Sequence, residues 1–159
     1  MGGAEISVSE LMNDILRDHF HTYSLSRSIG RILISKHVVQ KAIDNLSDEQ
    51  LDELAAQDAE KFKEAAIIEN GRPSLDGYLK LIKTFAKANR FYVEISKNPD
   101  NGDQVLVINF HMGEKFSRFR GSTYKILLEE FAEIDRIEIV GSVIYFEFKP
   151  KKEVPPLSA

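Results

Sequence analysis

The chain has 159 residues, 43% hydrophobic and 29% charged, which suits one packed domain with an appendage and excludes a disordered chain. With no cysteine there is no disulfide framework, no thiolate nucleophile and no cysteine-bearing zinc site, a composition that fits a cytoplasmic setting. The net charge of −4 argues against coating nucleic acid by bulk electrostatics, no apolar run nears the roughly 20 residues of a membrane span, and MGGAEISVSE does not read as a secretory leader.

The first predicted element is a helix over ISVSELMNDILRDHF. Ser7 is placed to cap it and Glu10, three residues on, to reach back. Leu11, Met12, Ile15, Leu16 and Phe20 then fall on one stripe, which has to fold back on the chain or meet a second copy. HTYSLSRSIG reads as turn and RILIS as a short edge strand. Ser35 opens a further helix with Val38, Val39, Ala42, Ile43 and Leu46 inward. Ser47 and Gln50 form a capping box for the next, with Leu46 stapled to Leu51 across the start. That helix is expected to bury Leu51, Leu54, Ala55, Phe62, Ala65 and Ala66 and to stop at Asn70-Gly71, just before Pro73.

From residue 73 the pattern becomes helix, strand, strand, twice. Sliding the chain 46 positions along itself sets Tyr78 over Tyr124, Leu81 over Leu127, Phe85 over Phe131, Ala86 over Ala132 and Arg90 over Arg136. The first hairpin turns at NPDNGD and returns as QVLVINF; the second turns at Val140-Gly141-Ser142 and returns as VIYFEF. The expected fold is therefore α+β: a helical N-terminal third packed on a four-stranded antiparallel sheet from two α-β-β units. The divisions are 1–22 for the opening helix, 23–72 for a helical segment, 73–149 for the duplicated unit, and 150–159 for a lysine- and proline-rich disordered tail.

Charge is uneven. Residues 47–69 hold eight acids and two bases, whereas 72–99 hold six bases (Arg72, Lys80, Lys83, Lys87, Arg90, Lys97) and two acids. In HMGEKFSRFRGSTYK, Met112, Phe116, Phe119 and Thr123 keep core spacing, and Lys115, Arg118, Arg120 and Lys125 are read on the outer arc, where they can touch phosphates. No phosphate loop, Gly-x-Ser-x-Gly elbow or His-Glu-x-x-His appears. His19 and His21 are too close in sequence to share a helix face; His111 lies near Lys115. Neither enzyme, metal nor cofactor is expected.

The opening Ser-x-Ser-Glu-Leu, with the Ile and Arg that follow, resembles the second helix of ribbon-helix-helix DNA-binding proteins. MGEKFS and GRILISKHVVQKAIDNLSDEQLDELA resemble elements of an uncharacterised archaeal family in which such a segment precedes an α+β helix-hairpin domain. The resemblance implies a transcription regulator, a homodimer joined through Leu11, Ile15, Leu16 and Phe20, and an anion contact at Ser7 and Val8, where backbone N–H groups would meet a phosphate. The strand and first helix of that family are missing before Ser7, so sequence-specific reading of DNA is not expected. The expected role is a non-catalytic regulatory or protein-interaction domain. The alternatives are a sensor holding a small apolar ligand between the two α-β-β halves, and a weak RNA-binding module.

Overall fold

The computed structural model describes residues 35–151 and, nearer the start, Ser9, Met12, Asn13 and Leu16. The chain divides into two units, Met1–Leu33 and Ile34–Ala159. In the first, the four described residues are helical, in agreement with the helix expected there. Ser7, Val8, Leu11, Ile15, Phe20, residues 31–34 of the RILIS strand and the tail beyond Lys151 lie outside the described residues.

The second unit is α+β. Its order is α1 (Lys36–Asp44), α2 (Asp48–Asn70), α3 (Leu75–Ala88), β1 (Tyr92–Lys97), β2 (Gln104–Asn109), α4 (Glu114–Glu129), β3 (Ala132–Val140) and β4 (Val143–Pro150). Local chemistry sets the helix ends. The Ser47 hydroxyl accepts from the Gln50 N–H while the Gln50 side chain accepts from the Ser47 N–H, the full capping box. Ser74 caps α3 by accepting from the Gly77 N–H. Ser35 sits at the start of α1 without a side-chain cap bond. Of the five residues expected inward there, Ile43 alone is buried and Val38 is 50% exposed, because α1 is short and touches chiefly α4.

All strand pairs are antiparallel, in the order β1-β2-β4-β3. Exchanging the two hairpins leaves this order unchanged, so the topology has the twofold character expected of two α-β-β units. The alignment by 46 positions is nonetheless wrong in register. It sets Phe85 and Ala86 of α3 on Phe131, beyond the end of α4, and Ala132, inside β3, and it sets the turn residue Arg90 on Arg136 within β3. α3 and α4 end at Ala88 and Glu129, and β1 and β3 begin at Tyr92 and Ala132, so the structural offset is 129 − 88 = 41 at the helix ends and 132 − 92 = 40 at the strand starts. The 3.6-residue period makes any two amphipathic helices match at several offsets, and Tyr and Arg coincided at the wrong one. Tyr78 and Tyr124 accordingly have unrelated surroundings: Tyr78 donates to Glu130 (2.7 Å) and meets the Phe131 ring, while Tyr124 accepts from Arg120 (2.9 Å) and meets Phe62.

The core lies between the sheet and α3 and α4. Leu106, Ile108, Ile144, Phe146 and Phe148 face the helices and are fully buried, as are Tyr78 and Ile82 of α3 and Leu127 and Leu128 of α4. A chain of rings runs through it, from Phe119 to Phe116, Phe110, Phe91, Phe85 and Phe62, mostly edge to face at 5.2–6.2 Å. The helical third covers this core differently from expectation: α2 packs along α4 and against α3, and is a further layer beyond them, not a cover for the sheet. Its buried face is Leu51, Ala55, Ala59, Phe62, Ala65 and Ala66, whose alanines allow close approach to α4.

Candidate interaction surfaces

The four bases assigned to the outer arc of α4 all have partners, two of them in half-exposed surface pairs. Lys115 donates to the carbonyls of Asp44 and Leu46 (2.9 and 2.6 Å), closing the C-terminal end of α1. Arg118 pairs with Asp48 of α2 (3.0 Å) and Lys125 with Glu129 one turn on (3.7 Å). Arg120 is not on an outer arc. It is 3% exposed, ion-paired with Asp58, and boxed by the rings of Phe62, Phe85, Phe119 and Tyr124 at 4.1–5.5 Å from its guanidinium carbon. Its Nε is buried without a hydrogen-bond partner. The sequence missed this because α4 is covered on two sides, by the sheet and by α2, which widens the buried arc beyond the apolar stripe.

α3 is treated otherwise. Lys80 reaches Glu69 (3.2 Å), but Lys83, Lys87 and Arg90 are exposed and make no ion pair among the described residues. Arg90 follows α3 in the left-handed region, φ +55°. Its N–H bonds to the Lys87 carbonyl (3.0 Å) and that of Phe91 to the Ala86 carbonyl (2.8 Å), the two bonds of a Schellman ending, in which the left-handed position is normally glycine. α2 follows the norm, with Gly71 at φ +75°.

The second surface is the sheet face turned away from the helices. Register puts Tyr92, Asn109, Val143 and Val140 in one row across it, then Glu94, Val107, Tyr145 and Glu138, then Ser96, Val105, Glu147 and Arg136. The third row is closed over by the first hairpin turn. Asn98 and Asn101 donate to Glu147 (2.6 and 2.9 Å), Tyr145 donates to its other oxygen (3.1 Å), and the two asparagine amides hold this carboxyl below its ordinary range. The first two rows stay open: Tyr92 is 54% exposed and Val140 73%, with Val107, Val143 and Tyr145 half-buried between them. Glu94, which accepts from the Tyr92 hydroxyl, and Glu138, which pairs with Arg136, flank this apolar strip on the two edge strands, and the Arg136 guanidinium carbon lies 5.5 Å from the Tyr145 ring. The outward carboxylates of the face are Glu94, Glu133, Asp135, Glu138 and Glu147 against Arg136 and Lys149, leaving it acidic.

Where the two halves meet, at the place expected for a small ligand, β2 and β4 pair directly and the helix side is filled by Leu106, Ile108, Ile144 and Phe146. His111 is exposed at φ +53°, and the Lys115 beside it in sequence is occupied with α1. Among the described residues no group of three metal-ligating side chains comes together, and no helix is long and apolar enough to cross a membrane. No protein-family model matches the chain, and comparison with curated proteins and with solved structures yields no match.

Proposed function

We propose that this chain is a non-catalytic protein-interaction domain of a transcription regulator, whose open sheet face docks a basic, amphipathic segment of a partner protein. The observation that carries the reading is the apolar strip of Tyr92, Val107, Val143, Tyr145 and Val140, exposed at both ends and half-buried between them, running between Glu94 and Glu138. An exposed aromatic and half-buried valines supply area, and carboxylates on both margins select a partner whose apolar residues are bordered by lysine or arginine. The regulator context rests on the resemblance of the opening helix to the ribbon-helix-helix second helix. In that context the stripe of Leu11, Ile15, Leu16 and Phe20 joins two copies, so that a homodimer carries two such faces.

Both parts are testable on the full chain. Titrating the isotope-labelled protein with a helical Leu/Lys peptide is expected to shift the amides of Val107, Val143 and Tyr145, and Tyr145→Ser to weaken that peptide at least tenfold (about 1.4 kcal/mol). A Leu/Glu peptide of the same pattern is expected to leave those amides in place. No shift with the lysine peptide, or an equal shift with the glutamate one, refutes the docking face. For the dimer, Ile15→Asp with Leu16→Asp is expected to halve the mass measured by light scattering; an unchanged mass refutes it.

A further inference from the structure

We infer that the exposed side of α3 is a second, separate binding surface, a line of cations that seats on the phosphate backbone of duplex nucleic acid without reading its sequence. Three observations converge on it. The first is selection among the bases. Every base described after residue 110 is tied to a carboxylate or a carbonyl, Lys115 through Lys151, whereas Lys41, Arg72, Lys83, Lys87, Arg90 and Lys97 make no ion pair among the described residues, and of these Lys83, Lys87 and Arg90 follow one another along α3 and its end.

The second is Arg90. A left-handed conformation is costly for a non-glycine residue, and glycine would meet the geometry here more cheaply, as it meets the left-handed end of α2 at Gly71. An arginine held there at that cost places a cation at the end of the line. Strain of this kind clusters at positions that serve a function.

The third is geometry. At about 1.5 Å per residue, Lys83 and Lys87 stand about 6 Å apart along α3, and Arg90 follows two residues after its end at Ala88, so the three cations continue one another along and just beyond the helix. The same side of α3 exposes Asp76, Lys80 and Ala88, with Thr84 half-buried, so it offers no aromatic platform for unstacked bases and no apolar anchor for a lipid surface. Duplex backbone is the occupant this leaves. The acidic sheet face does not cancel the site: it lies across the helix layer, about 10 Å or more away, which is about one Debye length at 0.1 M salt.

The test is a salt titration of binding to a fluorescent duplex of mixed sequence, using the full chain. Three phosphate contacts predict a slope of log K against log salt of about −2.7, hence about a fortyfold loss of affinity from 50 to 200 mM. Lys83→Gln with Lys87→Gln is expected to reduce the slope to about −1, and Lys61→Gln with Lys125→Gln, which removes paired cations, to leave it unchanged. Arg90→Gly separates binding from folding: it is expected to raise thermal stability while lowering duplex affinity. The inference is overturned if the Lys83/Lys87 variant keeps the parent slope, if the paired-lysine control loses as much, if binding depends on duplex sequence, or if a single strand or poly-glutamate binds as tightly as the duplex.

Discussion

The two α-β-β halves share one topology and use charge in opposite ways. In the half built on α4, β3 and β4, cations are structural: Arg120 holds α4 to α2 through Asp58, Arg118 does so again through Asp48, Lys115 closes α1, and Lys149 bridges Asp103 and Asp135. In the half built on α3, β1 and β2, Lys83, Lys87 and Arg90 are exposed and make no ion pair among the described residues. The difference follows from what each helix carries on its back. α4 is sandwiched between the sheet and the acidic α2, so its bases meet carboxylates; α3 meets α2 more sparingly and keeps one side clear. Position in the layers, together with the acids nearby in sequence, decides whether a base is paired as a strut or exposed for contact.

The largest expected effect breaks the strut side. Asp58→Ala leaves the Arg120 charge buried without its partner and is expected to cost about 3–5 kcal/mol in urea unfolding, with the exposed edge of Asp58 pulling toward the lower figure. Arg120→Met, which removes charge and orphan Nε together and refills the aromatic box, is expected to cost much less or nothing. If Arg120→Met proves the worse of the two, the guanidinium stabilises the box by its cation–π contacts more than its burial costs. On the contact side, Arg90→Gly is expected to stabilise the chain by about 1 kcal/mol, read as a rise in melting temperature; a fall would mean that Arg90 has a structural partner.

A smaller effect separates the outward faces by pH. The Glu147 carboxyl is held low by the Asn101 and Asn98 amides, so its folded pKa lies below the unfolded one. The stability it lends is present above the unfolded value, near 4.3, and is lost as pH falls through the folded one. Acidification below about pH 4 is therefore expected to loosen the 98–103 turn, seen as faster amide exchange at Gly102, before the α3 side changes. Glu147→Gln is expected to remove that step, and a step that persists in the variant assigns it elsewhere.

Much of the fold was legible in the residues themselves. The Ser47 box, the Gly71 stop, both hairpins and the burial of Phe116 and Phe119 all follow from local signals, because caps, turns and periodicity are local physics. The repeat register was not, since the helical period repeats its own match, and neither was the layer on which α2 would settle. The site was less legible still. Lys115, Arg118, Arg120 and Lys125 looked like one basic arc, and only the tertiary arrangement distinguishes a buried arginine from a free one. The charge block over residues 72–99 did foreshadow that Lys83, Lys87 and Arg90 are unpaired among the described residues: few acids lie within reach in sequence.

The division of labour between the halves is tested most directly by urea unfolding of two charge-matched triple variants at the same salt. One carries Lys83→Gln, Lys87→Gln and Arg90→Gln, the other Lys115→Gln, Arg118→Gln and Lys125→Gln. The first is expected to stay within about 0.5 kcal/mol of the parent, as surface changes away from partners do. The second is expected to lose about 1–3 kcal/mol, from two ion pairs and the Lys115 closure of α1. Equal losses in both, or a larger loss in the α3 triple, would contradict the division.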